Sequence, residues 1–261
     1  MRMQDWEPTI YGRFEAERQR PVADLLTRVP AGPRKRVVDL GCGSGVSTAA
    51  LSEKYPDADL LGIDASREML AAARSRLPKA RFLEGDVAHW RAGDADLVFA
   101  NAVFHWVPDH IRVVARLAGE LAPGSALAAQ MPDNEAEPTH ALIREIASRE
   151  PFRGKLANAG GTREPIGAFA DYDAALCPVC DHIDIWRTVY LHRLESPEAI
   201  VAFVEGAGLR PYLAPLTPDE RGKFLSLYRD EITKAYPQRP WGGVLLPFPR
   251  LFLVARRAER S

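Results

Sequence analysis

Cysteine is scarce in this chain: three residues among 261, at Cys42, Cys177 and Cys180. An odd, sparse set excludes a disulfide scaffold and fits a reducing compartment. Two of them share the spacing "CPVC". A tetrahedral zinc site would need a second pair of ligands, and only His182 stands close by. A thioredoxin-type pair follows a strand and opens a helix, whereas this one leads into the strand-like "HIDIWRTVYLH". It reads as a loop without chemistry, and no metal is expected. Long apolar runs are missing as well. No stretch approaches the roughly 20 residues that cross a bilayer. The opening "MRMQDWEPTIYGRFEAERQRP" has no continuous apolar segment of the signal-peptide kind. A cytoplasmic protein with no membrane partner is expected. Nor does either charge dominate: 34 Lys and Arg stand against 35 Asp and Glu, a formal net charge of −1. Nucleic-acid binders usually carry a basic excess, so no nucleic-acid partner is expected. Lysine is rare beside arginine, which fits bidentate anion recognition or simply the base composition of the gene.

What is present has the composition of a globular protein, 46% hydrophobic and 26% charged, enough for one domain with an elaboration. Residues 5–29 read as a helix, with Tyr11, Phe14 and Arg18 on one face. Short β-branched or apolar runs ended by glycine, acid or asparagine predict strands at 36–41, 59–65, 80–87, 96–103 and 125–132. Helices are predicted between them at 45–54, 66–77 and 109–121, the second with Ser66 as its N-cap. Strand and helix alternating in this way predict a parallel sheet covered on both faces. After about Asp133 the rhythm breaks. A helical piece in 134–170, a long strand at 182–194, helix across 196–236 and a last strand at 249–257 complete the expectation. The expected organisation is one domain, 1–261. Its core is about 30–132 plus 171–194 and 243–257, with helix 5–29 as a lid and insertions 133–170 and 195–242 as a substrate cap.

The stretch "VVDLGCGSGVSTAAL" (37–51) carries the first chemical signal. It joins a buried strand to a helix, where parallel sheets bind ligands. Gly41 and Gly43 let backbone approach a ligand closely. The dinucleotide fingerprint G-x-G-x-x-G fails by one residue, because its third position is Val46 and the glycine falls early, at Gly45. Oxidoreductase chemistry with a nicotinamide cofactor is therefore not expected. S-adenosylmethionine has no pyrophosphate to cradle. It needs acids instead, and they are present at the strand ends. Asp39 suits its ammonium, Asp64 its ribose hydroxyls, and Asp86 its adenine amino group, with Val87 against the base and Asn101 near the methionine part. Ala65 and Met69 complete the expected cofactor-binding set.

The segments "VVDLGCGSG", "GIDAS" and "EGDV" resemble the class I S-adenosylmethionine-dependent methyltransferases over roughly residues 35–132. That resemblance implies an α/β, Rossmann-like fold. Its sheet has seven strands, mostly parallel, with an antiparallel last strand and helical insertions over the substrate. A closer likeness runs from end to end. "DWEPTIYGRFEAERQRP", "FANAVFHWVPDH", "QMPDNEAEPTHALIREIA", "DIWRTVYLHRL", "AGLRPYLAPL" and "FPRLFLVARR" resemble the trans-aconitate 2-methyltransferases. This implies a carboxyl O-methyltransferase that forms a monomethyl ester and S-adenosylhomocysteine. The "CPVC" pair lies outside that family's pattern.

A carboxylate acceptor is already ionised at neutral pH, so no general base is required, and catalysis rests on positioning and desolvation. His105 and Trp106 are expected to line the site, with no certain catalytic role. A tricarboxylate needs cations, and arginine pairs with carboxylates bidentately. The candidates are Arg18, Arg144, Arg187, Arg210 and Arg250, with Tyr11 beside them and Arg250 opening the last strand. Two other readings stay open. One is a methyltransferase acting on another small acid or on a phenol or quinone-like ring, for which His105 would serve as base. The other is a non-catalytic binder of the cofactor, lacking the arginines' role. A monomer is expected.

Overall fold

The structure, a computed structural model, describes residues 15–160, 165–206 and 208–259. The chain divides into two compact units. The first takes the described residues up to Pro132, then 165–187, then those from Leu251 onward. The second takes Asp133–160 and the described residues from Thr188 to Arg250.

The first unit is built on apolar runs that become strands: β1 (Arg36–Leu40), β2 (Asp59–Asp64), β3 (Arg81–Glu84), β4 (Leu97–Asn101) and β5 (Ala126–Pro132). Val37, Val38, Leu40, Val98, Phe99 and all of β5 are buried, as expected of strands covered on both faces. β6 (Cys180–Leu194) and β7 (Val244–Arg257) complete a seven-stranded sheet in the order β3-β2-β1-β4-β5-β7-β6. β1 to β5 pair in parallel. β7 runs the other way. Gly124 N–H donates to Arg257 O at 3.0 Å and Arg257 N–H to Ser125 O at 2.8 Å, so the end of β7 lies beside the start of β5. Ala258 N–H reaches Val179 O at 3.0 Å, which sets the same end beside the start of β6.

Helices α1 (Glu15–Arg28), α2 (Val46–Lys54), α3 (Arg67–Arg76) and α4 (His110–Glu120) cover the sheet. Ser66 caps α3 as expected, its Oγ accepting from Met69 N–H at 3.3 Å. α4 turns Leu117 and Ala118 into a core that includes Val98, Ala100, Leu127, Leu251 and Leu253. In the second unit α5 (Pro138–Ala147), α6 (Arg153–Leu156), α8 (Pro197–Glu205), α9 (Arg210–Leu213) and α10 (Pro218–Ala235) pack together, α10 against both α5 and α8. Phe152 meets Phe224 edge-on at 5.2 Å, and the Tyr228 hydroxyl donates to Thr139 O at 2.9 Å.

Several boundaries differ from expectation. β3 ends at Glu84, so Asp86 lies two residues beyond it and opens a turn of its own. β7 starts at Val244, so Arg250 sits inside the strand and does not open it. The region 196–236 breaks into three helices, with Thr217 capping the last. Helix α7 (Phe169–Leu176) falls where an insertion was expected to end, and buries Tyr172 and Leu176 against α4. Cys177 closes α7 and Cys180 opens β6: the "CPVC" pair follows a helix and opens a strand, the reverse of the redox arrangement. Of the expected helix 5–29, residues 5–14 lie outside the described residues, Tyr11 among them.

Candidate active site

Register brings four loops together. Leu40 is level with Ile63 and with Ala100, Asp64 with Glu84, and Asn101 with Gln130. The residues that follow these positions therefore gather at the carboxyl ends of the parallel strands, the usual place for a ligand in such a sheet.

The glycine loop is held from beneath by β2. Gly41 and Cys42 N–H both donate to Ile63 O, at 2.7 and 3.0 Å. Gly41 (φ +70°) and Gly43 (φ +53°) both adopt left-handed backbone, but for different surroundings. A side-chain carbon on Gly41 would lie 2.5 Å from Val103 Cβ, whereas one on Gly43 would meet nothing within 4 Å. Open space beside Gly43 is what a backbone approached by a ligand presents. Cys42 is more than a spacer between the two glycines. Its side chain is 3% exposed and packs with Leu70, Ala73 and Phe82, and burial pushes its thiol well above the ordinary range. The loop is thereby pinned to α3 and β3.

Asp39 and Asp64 are both buried. Asp39 Oδ2 accepts from Ser47 Oγ at 2.7 Å and Thr48 Oγ1 at 2.6 Å, fastening the start of α2 to β1. Its other oxygen, Oδ1, is buried with no hydrogen-bond partner among the described residues. Burial raises the Asp39 carboxyl to about 6, against the pull of the Thr48 and Ser47 hydroxyls and with a further push from Asp64. An acid in that state gains most from a cation arriving at Oδ1. Asp64 ties two loops together. Its Oδ2 accepts from Gly43 N–H at 2.9 Å and its Oδ1 from Ser66 N–H at 2.8 Å. Burial raises its carboxyl too, opposed by those backbone donors. Each oxygen retains a lone pair for a hydroxyl.

Asp86 is exposed and uses its carboxylate on its own turn. Oδ1 accepts from Ala88 N–H at 2.9 Å, and Oδ2 lies 2.9 Å from His89 Nδ1. Val87 and Met69 are buried and Ala65 is exposed. Asn101 accepts a hydrogen bond from the Gln130 side chain. The next residue, Ala102, has φ +56°, so the chain turns sharply off β4 into a 3-10 helix, Phe104–Trp106. His105 is buried there, with its ring 4.8 Å from that of Trp106. Ser47, Thr48 and Gln130 were not singled out from the sequence. The hydroxyl pair one turn into a helix after D-x-G-x-G-x-G was the available signal for the first two.

The cations expected to hold an acid fall in both units. Arg187, in the first unit, is exposed and lies over the Phe169 ring at 5.5 Å. The second unit contains Arg144, Arg210 and Arg250. Arg144 is exposed, and its fork is taken up by Glu135, at 2.8 Å to Oε2 and 2.6 Å to the carbonyl oxygen. It nonetheless reaches the second short helix: its charge opposes the burial that raises the Tyr212 hydroxyl, two residues after Arg210. Arg250 is buried, over the Phe248 ring at 4.8 Å. Arg18 falls within α1, where only the backbone is described. No group of three or more metal-ligating side chains occurs among the described residues.

Comparison with known proteins gives these features a family. A model described as a methyltransferase domain matches residues 37–124. A trans-aconitate 2-methyltransferase from Methylobacterium nodulans is 50% identical, covering 98% of this chain and 100% of that protein. One from Rhodopseudomonas palustris is 48% identical, covering 97% and 99%. Among solved structures, the YcgJ protein of Bacillus subtilis is similar with a TM-score of 0.59 at 14% identity, covering 93% of this chain and 100% of that one. Phosphoethanolamine N-methyltransferase 2 of Haemonchus contortus, in complex with phosphomonomethylethanolamine and S-adenosylhomocysteine, has a TM-score of 0.54 at 14% identity, covering 92% and 53%. At that identity the two structures speak for the fold alone, and the seven-stranded sheet described above is that fold. The chain belongs to the trans-aconitate 2-methyltransferases, within the class I S-adenosylmethionine-dependent methyltransferases.

Proposed function

We propose that the chain transfers a methyl group from S-adenosylmethionine to a carboxylate of trans-aconitate, giving a monomethyl ester and S-adenosylhomocysteine. The observation that carries this reading is the 50% identity, over 98% of this chain and 100% of the relative, to a protein of that name. When bound, S-adenosylmethionine supplies an electrophilic methyl group on a positively charged sulfur.

The chain's own residues would do the rest. The unpartnered Asp39 oxygen would take the ammonium, and Asp64 the ribose hydroxyls, with Gly41 and Gly43 giving backbone access. Asp86 and Val87 would meet the adenine, Ala65 and Met69 would line its approach, and Asn101 would stand near the methionine part. The orphaned oxygen of Asp39 and the open space at Gly43 support this assignment. The proposed acid-binding side chains are Arg18, Arg144, Arg187, Arg210 and Arg250, with Tyr11 beside them; Arg144 and Arg210 come from the inserted segments. An acid already ionised at neutral pH needs no proton removed. The work is therefore to hold a carboxylate oxygen against the methyl in a dry site, with His105 and Trp106 as lining. The same reading has the enzyme cytoplasmic, monomeric and independent of metal. Among the described residues no helix is long and apolar enough to cross a membrane.

The test is a panel of di- and tricarboxylates and phenols incubated with methyl-labelled cofactor. A labelled methyl ester of trans-aconitate, formed at a rate flat across the histidine range, is expected. Label on a phenol, rising with pH, would overturn the acid reading in favour of an aromatic acceptor.

A further inference from the structure

The second unit buries a cation in an aromatic setting. Arg250 is 5% exposed and its Cζ lies over the Phe248 ring, 4.8 Å from the centroid. The two residues are i and i+2 on β7, so their side chains rise from one face of the strand. Phe248 is itself fixed. Phe203 of α8 meets it edge-on at 5.5 Å, and the His192 ring of β6 lies 5.7 Å away. His192 is 2% exposed and stacks with Tyr190, i−2 on the same strand, at 8° between planes.

The geometry points to Phe248 as the positioning residue for Arg250 in acid recognition. This rests on the reading that Arg250 contacts the substrate. A guanidinium on a flexible stem has many rotamers, and an acid site needs one of them. The negative face of an aromatic ring attracts the cation. The N–H donors lie in the guanidinium plane, where a carboxylate can take two at once. The Phe248 ring face therefore restrains Arg250 through its charge, in the position acid recognition requires. The surrounding rings prevent Phe248 from turning away.

Three variants test this by steady-state kinetics in trans-aconitate, with cofactor affinity and thermal unfolding measured alongside. Phe248→Leu keeps the apolar bulk and removes the ring face. Its KM for trans-aconitate is expected to rise about tenfold, the equivalent of roughly 1.4 kcal/mol. Its kcat should stay within about twofold, as befits lost binding rather than lost chemistry, and cofactor affinity should not move. Phe248→Tyr, which restores the face, is expected to return KM to the wild-type value. Arg250→Gln should raise KM at least as much as Phe248→Leu. An unchanged KM in Phe248→Leu, together with a raised one in Arg250→Gln, would overturn the positioning role and leave the arginine's contact standing. An unchanged KM in Arg250→Gln would remove the contact itself. A parallel fall of kcat, cofactor affinity and unfolding temperature in Phe248→Leu, with no rescue by tyrosine, would mark the ring as simple core.

Discussion

One oxygen of Asp39 fastens the start of α2, and the proposed role of the other is to meet the cofactor's ammonium. A carboxyl raised to about 6 by burial favours the folded state most when protonated. Its contribution is complete below the unfolded value near 3.9 and is lost as pH rises through about 6. The two limits differ by about 3 kcal/mol for a shift of this size. Thermal unfolding of the cofactor-free enzyme from pH 4 to 8 should therefore fall off relative to Asp39→Asn, whose side chain does not titrate. Superimposable profiles would show that Asp39 is not strained. Cofactor binding has the opposite sign, because the ammonium wants the ionised acid. Calorimetric titrations should weaken severalfold as pH drops from 7 to 5 in the wild type, and stay weak and flat in Asp39→Asn. The glycines separate in a similar way. Gly43→Ala introduces left-handed strain of roughly 1–2 kcal/mol but no clash, so it should mainly cost cofactor affinity. Gly41→Ala adds a collision with Val103 and should lower the unfolding temperature further than Gly43→Ala does. Equal unfolding temperatures for the two variants would contradict this. The acids themselves could be read from the sequence, because strand-end spacing reveals where a carboxylate stands. Its partners could not: nothing in "VVDLGCGSGVST" says that one Asp39 oxygen is taken by two hydroxyls, or that Asp86 closes its own turn.

Elements fared according to how local their causes are. β1, β2, β4 and β5 were legible because β-branched and apolar runs, bounded by glycine, acid or asparagine, need little context. β7 begins five residues ahead of the predicted 249–257 and runs through Pro247 and Pro249, although proline cannot donate to a ladder. Pro249 still takes part through its carbonyl, which accepts from Asp133 N–H at 2.9 Å. Helix α7 went unread although Phe169, Tyr172 and Leu176 hold helical spacing, because eight residues give too few periods to stand out. Caps were the most local signals of all. Thr217 and Glu220 form a capping box at α10, with Thr217 N–H donating to Glu220 Oε2 at 2.9 Å and Glu220 N–H to Thr217 Oγ1 at 3.4 Å. Thr217→Ala should destabilise the protein by about 1 kcal/mol, measurable by denaturant unfolding, while KM for trans-aconitate is unchanged. A change in KM without loss of stability would place Thr217 in the site instead.

At the scale of the whole molecule, the chain passes from one compact unit to the other and back, so neither unit is a continuous segment. The core of the first unit takes Tyr172 and Leu176 from the middle of the sequence and Leu251, Leu253 and Ala255 from its end. A fragment ending at Pro132 retains every proposed cofactor residue yet lacks those five buried side chains. It is expected to show no cooperative melting by near-ultraviolet circular dichroism and to bind a hydrophobic dye. A sharp melting transition would mean that β1 to β5 suffice. The strand order has a further consequence, for the birth of the chain. β5 takes as its sheet neighbour the last strand to be synthesised, and at 5–20 residues per second the ribosome needs on the order of ten seconds to travel from one to the other. Throughout that interval a strand buried along its whole length in the finished fold offers its open edge to any passing nascent chain. How much active enzyme a cell obtains thus depends on what shields β5 until the final residues emerge.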